Sequence, residues 1–418
     1  MPKYPTFIKA IKNLSLVGLC LLFFNAATNA QYIGYRLDNN KKKVSIPFEI
    51  HNNLIVLPVT IDGMIQLNFI LDTGVRSSIL FEKAITDALG AFYARKITIL
   101  GAGQEKLVEA LVATDLNMSL PGISGNGQSI LVLMEDYLNL QNAIGFPVHG
   151  IIGYELFSRF IVEINYSSKI VTFHEPAHFK PKRSYDHLAI QVEDTKPYLM
   201  TSLKIGDEPS IVGKFLIDTG ASHAVVIHQH SDERFYLPEK NIESNLGKGL
   251  TGEIRGHLTR IKSFDIGKYE LTDVIASYPD KETYSDSLMS VERNGTIGGE
   301  MLSKFNLTFD YMNKRVYLKR NIRFRRTFGY NMSGLELTTS GRELEHVFVA
   351  KVRKGSPGDL AGVLAGDKIL AANGRVGKDL TIKFLYALFN LRDGKRVKLT
   401  IERQGEELTS EFHLIQEI

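Results

Sequence analysis

The segment FILDTGVRSSILF, Phe69 to Phe81, returns later in the chain as FLIDTGASHAVVI, Phe215 to Ile227. In both, an apolar run leads into Asp-Thr-Gly and a second apolar run follows. Asp and Gly suit tight turns, so one copy reads simply as a turn between two strands. A second copy in matching surroundings asks for more. Asp72 and Asp218 lie 146 residues apart, and the likeness spreads outward from them. Gly101 of LGAG stands 29 residues after Asp72, and Gly247 of LGKG stands 29 after Asp218. IIGYELFSRFIVEINYSSK (Ile151 to Lys169) matches TIGGEMLSKFNLTFDYMNK (Thr296 to Lys314); Gly153 is 81 residues past its aspartate and Gly298 is 80 past its own. The chain holds one fold unit twice.

Each copy reads as mainly β, with short alternating or apolar runs such as LIVLPVTI, IVEINY and KIVTF set off by Gly, Asn, Asp and Pro. ELFSRF and EMLSKF are the exceptions, each fitting a short helix before a strand. The first copy is expected over residues 31–182 and the second over 183–320, and KRNIRFRR (Lys319 to Arg326) reads as a solvated linker.

An apolar Asp-Thr-Gly, a glycine hairpin and an apolar-Gly pair before a short helix, all repeated, resemble the aspartic peptidases of the pepsin and retropepsin type. In that family two such halves meet at a two-fold axis. The resemblance implies two homologous β-barrel lobes related by a pseudo-two-fold axis, with Asp72 and Asp218 as the catalytic pair. Two close carboxyls share one proton and titrate as a unit. By the same resemblance Thr73 and Thr219 bond across to the opposite loop, Gly74 and Gly220 let backbone N–H groups reach the carboxyls, and Ile152, Gly153, Ile297 and Gly298 support both loops. Gly101 and Gly103, with Gly247 and Gly249, mark the hairpins expected to close over substrate as flaps. Val75 and Ala221 follow the two motifs, where pepsin-like enzymes often carry a hydroxyl; Ala leans towards the retropepsin branch.

Bulk properties narrow the field. A net charge of +4 is mild for 418 residues, and no basic stripe suits nucleic acid. Lys3, Lys9 and Lys12 precede the apolar run Leu14 to Phe24, and small residues end at Ala30, so residues 1–30 read as a signal peptide and the chain as exported, to a periplasm or outside the cell. An uncleaved N-terminal anchor is the alternative; no other membrane segment is expected. The one cysteine, Cys20, lies inside that segment, which leaves no thiol nucleophile afterwards. HEPAH (His174 to His178) matches a zinc-peptidase pattern, but Pro176 disfavours the helix such a site needs. GKGLTG (Gly247 to Gly252) lacks the strand and helix of a dinucleotide site. His223, His228 and His230 read as surface or groove residues. Neither metal nor cofactor is expected.

SPGDLAGVLAGDKILAANG, Ser356 to Gly374, resembles the central part of a PDZ domain, an α/β sandwich expected over residues 325–418. Such domains add an extended peptide to a sheet edge and hold its terminal carboxylate on backbone N–H groups. Gly334, Leu335, Glu336 and Leu337 fall in the corresponding loop, with Glu336 where glycine is usual. The expected partners are a peptide or unfolded protein as substrate and a peptide C-terminus at the PDZ loop. The competing reading is a peptide-binding scaffold on a protease fold without turnover.

Overall fold

A computed structural model describes residues 33–99, 107–250, 252–281 and 291–418. The signal-peptide segment and the first hairpin's Gly101 and Gly103 lie outside them. The strands Ile65–Leu71 and Ile211–Ile217 each start with alternating exposure and end in three buried residues, Phe69–Leu71 and Phe215–Ile217. The change follows from pairing. Those last residues are flanked on both sides, antiparallel by Leu54–Ile61 or Lys196–Lys204 and parallel by Gly150–Ile152 or Gly295–Ile297. A strand end enclosed in this way must be apolar on both faces.

The sheets of the two copies have the same order. In the first it runs Glu49–His51, Leu54–Ile61, Ile65–Leu71, Gly150–Ile152, Ile79–Leu80, Gln128–Leu133, Val108–Leu116, Phe92–Ile99. The second repeats it with Gln191–Glu193, Lys196–Lys204, Ile211–Ile217, Gly295–Ile297, Val225–Ile227, Tyr269–Pro279, Gly252–Ile266, Asn241–Gly249. There the path also returns on itself, because Leu203 and Lys204 pair with Phe264 and Ser263.

A third sheet joins the copies. Lys43–Pro47, Ile170–His174 and Ile161–Asn165 of the first meet Phe305–Asp310, Arg315–Arg320 and Asp186–Ala189 of the second. At the seam Val162 opposes Phe309, Glu163 opposes Thr308 and Ile164 opposes Leu307. In the repeat, Val162 is equivalent to Leu307, Glu163 to Thr308 and Ile164 to Phe309. Each residue therefore faces the equivalent of its own mirror position, as a two-fold axis through Glu163 and Thr308 requires. The short helices Tyr154–Arg159 and Gly299–Leu302 lead into these strands.

The C-terminal part is a sheet of Leu335–Ser340, His346–Val352, Lys368–Ala372, Arg396–Arg403 and Glu406–His413, with helices Pro357–Leu360 and Ile382–Phe389. Ser356 and Thr381 cap the two helices by accepting the N–H groups of Asp359 and Phe384. Asn373 and Gly374 both have positive φ and connect Ala372 to Arg375 as a two-residue hairpin turn.

The segment Lys319 to Arg326 is largely exposed, as expected of a solvated linker, yet it is tied to its surroundings at several points. Asn321 Nδ2 donates to the Ser303 carbonyl at 2.9 Å, and the Phe324 ring meets Phe305 edge-on at 5.5 Å beneath the Arg320 guanidinium. The Lys304 ammonium bonds the Arg326 carbonyl and lies 4.1 Å from the Phe328 ring centre. Aromatic residues spaced among the charges give the cations apolar faces to lie on, which a count of charges alone does not register. Among the described residues no helix is long and apolar enough to cross a membrane.

Candidate active site

Asp72 and Asp218 each follow a buried strand end, and each backbone N–H is held from the parallel neighbour, Asp72 N to the Ile152 carbonyl and Asp218 N to the Ile297 carbonyl, both at 2.9 Å. The carboxyls turn back onto their own loops, where Gly74 N–H donates to Asp72 Oδ1 at 2.5 Å and Gly220 N–H to Asp218 Oδ1 at 2.8 Å. The two loops press against each other. A Cβ on Gly74 would stand 2.8 Å from Asp218 Oδ2, and one on Gly220 would stand 2.2 Å from Asp72 Cγ. The glycines are required because each lies against the opposite carboxyl.

Thr73 and Thr219, both buried, lock this arrangement. Thr73 N–H donates to Thr219 Oγ1 at 3.1 Å, and Thr219 N–H to Thr73 Oγ1 at 3.0 Å. Each hydroxyl then donates to the opposite strand, Thr73 to the Ile217 carbonyl at 2.7 Å and Thr219 to the Leu71 carbonyl at 2.8 Å. Four hydrogen bonds thus cross between copies at one point, all of them buried. Gly153 and Gly298 pass beneath: a Cβ on the first would lie 1.8 Å from the Asp72 carbonyl oxygen, and on the second 2.3 Å from that of His223.

Asp72 is held well above the usual carboxylate range, first by burial, then by the charge of Asp218 and a hydrogen bond to it. Among the described residues no hydroxyl donates to either aspartate, as Val75 and Ala221 imply. Lys196 opposes the shift; its charge favours ionised Asp72, while burial lowers its own pKa. The buried Tyr311 hydroxyl feels both aspartates and is pushed up, first by burial.

Three further features escaped the sequence reading. The first is a pair of turns. Asn52 and Asn53, and likewise Asp194 and Thr195, have positive φ at equivalent hairpin tips. Each tip reaches the opposite Asp loop: Asn53 Nδ2 donates to the Ser222 carbonyl at 3.0 Å, and Asp194 forms an ion pair with Arg76. The signal was available, since HNN and EDT stand at equivalent places before the first long strand of each copy.

The second feature is a pair of equivalent glutamates in the short helices. Glu155 Oε1 accepts the Ser78 N–H at 2.8 Å, and burial pushes its carboxyl up. Burial likewise pushes Glu300 up to about 7, with Lys304 pulling the other way. A folded-state pKa above the unfolded one means that this group favours folding when protonated, and the contribution fades as pH rises from about 4.5 to about 7. Glu300→Gln, neutral throughout, is expected to raise the urea midpoint at pH 8 by the equivalent of about 1–3 kcal/mol and to leave it nearly unchanged at pH 4.5.

The third feature is histidine placement. His228 is buried rather than superficial, because it directly follows the interior strand Val225–Ile227, and burial followed by the Arg293 charge pushes it down to about 3. His223 sits under the second hairpin and bonds the Leu246 carbonyl. That hairpin is long, shifts register between Asn245 and Gly247, and then pairs Gly247 with Ile254 and Gly249 with Gly252. His174 ends a strand and bonds Glu163, while His178 lies in a single 3-10 turn.

In the PDZ-like loop Gly334 has a φ of 74° and its carbonyl accepts the Arg353 N–H at 2.9 Å. Leu335 N–H donates to Ser333 Oγ at 3.1 Å, and Leu337 N–H to the Tyr386 hydroxyl at 3.0 Å. Glu336 accepts from Asn245 of the second hairpin.

Comparison with known proteins fits this picture. Residues 201–299, which contain Asp218 and Ile297–Gly298, match the family model described as aspartyl protease, and residues 326–414 match that of the PDZ domain. No curated protein matches the chain. Among solved structures, an aspartic proteinase from Irpex lacteus is similar at 16% identity over 68% of this chain and 99% of that one, with a TM-score of 0.46. The chain thus carries an aspartyl-protease-like region followed by a PDZ domain.

Proposed function

We propose that the chain is an aspartic endopeptidase acting on peptides or unfolded protein. The observation that carries the reading is the contact of two carboxyls from equivalent loops, each backed by the other loop's glycine, with Asp72 strongly favoured in its protonated form. A shared proton gives the pair two roles at once. The ionised carboxylate takes a proton from a water held between them as that water attacks the scissile carbonyl carbon, and the protonated partner donates to the carbonyl oxygen. Collapse of the resulting diol passes a proton to the departing amine and restores the pair without a covalent enzyme intermediate.

The reading includes export, from the N-terminal segment, and peptide binding by the PDZ domain. Incubation with unfolded casein, followed by mass spectrometry of the products, tests the reaction class. Internal cleavage is expected to survive EDTA and to stop with a statine-type inhibitor, whose hydroxyl copies the diol. Cleavage that EDTA abolishes and the inhibitor spares would assign the chemistry elsewhere.

A further inference from the structure

The second hairpin, Asn241–Gly249 with Gly252–Ile266, links the second Asp loop to the first copy. Its Leu246 carbonyl bonds the His223 ring, three residues beyond Gly220, while Leu250 near its tip packs on the first copy's apolar cluster, which includes Leu54, Ile70, Phe81 and Ile144. The hairpin therefore reaches from its own Asp loop across to the apolar cluster of the first copy.

The PDZ domain grips both arms of this hairpin. Asn245 Nδ2 donates to Glu336 Oε2 at 2.9 Å, and Lys351 Nζ to Glu253 Oε2 at 2.5 Å. Glu336 and Lys351 are register partners on neighbouring PDZ strands, so one rung of that sheet holds two arms of the hairpin. The strand Leu335–Ser340 and the helix Ile382–Phe389 also hold the first copy. Thr339 Oγ1 donates to the Asn142 carbonyl at 3.0 Å, and Lys383 Nζ reaches the Ile50 carbonyl at 3.4 Å. Gly145, which ends the helix Leu140–Ile144, lies against Ile382 of the groove helix. Meanwhile the Leu335 and Leu337 N–H groups of the peptide loop already have partners within the domain.

We propose that the PDZ edge is an interaction surface whose partner is the cleft of its own chain: it braces the second hairpin against the helix Leu140–Ile144 and so sets how far the cleft opens. Its effect on turnover rests on the peptidase reading; the brace itself does not. Hydrogen exchange on the full chain tests it. Lys351→Glu puts like charges together at the half-exposed Glu253 pair and is expected to speed exchange of the amides of residues 245–250 about tenfold, with the PDZ strand Arg396–Arg403 unchanged. Adding Glu253→Lys restores the pair and the protection. Glu336→Leu is expected to act like Lys351→Glu, whereas Glu336→Gln, which keeps an acceptor for Asn245, stays near the parent. On a fluorogenic peptide the loosened variants are expected to raise KM several-fold with less change in kcat. Unchanged hairpin exchange in folded Lys351→Glu and Glu336→Leu overturns the brace, as does a swap that fails to restore protection. Exchange that responds in a chain that cleaves nothing leaves the brace standing and removes the peptidase reading.

Discussion

Asp72→Asn and Asp218→Asn are each expected to lower kcat for peptide cleavage by about 10²–10⁴-fold, the range for removal of a general acid–base group, and Asp72→Asn is expected to make the protein more stable. The two effects have one cause. Asp72 is held well above its usual pKa by burial and by Asp218, so whatever it adds to stability is present below its unfolded pKa and is lost as pH rises through the folded one. An amide has no proton to lose there, and Asn keeps the oxygen that accepts the Gly74 N–H. The gain in Tm is expected to grow with pH while cleavage stays absent. Calorimetry from pH 4 to pH 8 beside single-turnover kinetics checks both. A variant that cleaves like the parent, or whose gain in Tm over the parent shrinks as pH rises, contradicts the shared-proton account.

Thr219→Val is expected to cost about 2–5 kcal/mol of stability and most of the activity. Valine matches threonine in shape, so packing is retained and the change isolates the hydroxyl. That hydroxyl accepts the Thr73 N–H and donates to the Leu71 carbonyl, and both of those groups are left buried without a partner. Unpaired buried groups carry their full desolvation cost, which exceeds the net worth of the bonds when made. Thr219→Ser keeps both bonds and is expected to retain most of the stability and activity. Urea titration of the two variants separates hydrogen bonding from volume; a loss in Thr219→Ser as large as that in Thr219→Val would contradict the assignment to the hydroxyl.

The repeat was legible because it is written in local chemistry. Apolar runs, Asp-Thr-Gly turns and Ile-Gly pairs recur at equal offsets, and equal offsets imply the same strand order, which both sheets follow. The fold of the pair could be read from residues 69–81 and 215–227 for that reason, as could the Asn373–Gly374 hairpin turn in the tail. Glu155 and Glu300 were printed in the repeat too, yet their character depends on how deeply each short helix is buried, and a helix of four to six residues has too few turns to reveal it.

By itself the sequence determined that one unit recurs, where its two Asp-Thr-Gly motifs stand and that a PDZ-like domain follows. Only the tertiary structure decided which distant groups Asn321 and Phe324 meet, that His228 is buried and that Glu336 faces Asn245 across 91 residues of chain. The reason is range. Turn propensity and hydrophobic period act between neighbours along the chain, whereas desolvation and ion pairing depend on which distant surfaces the folded domains bring together, and no local pattern records that.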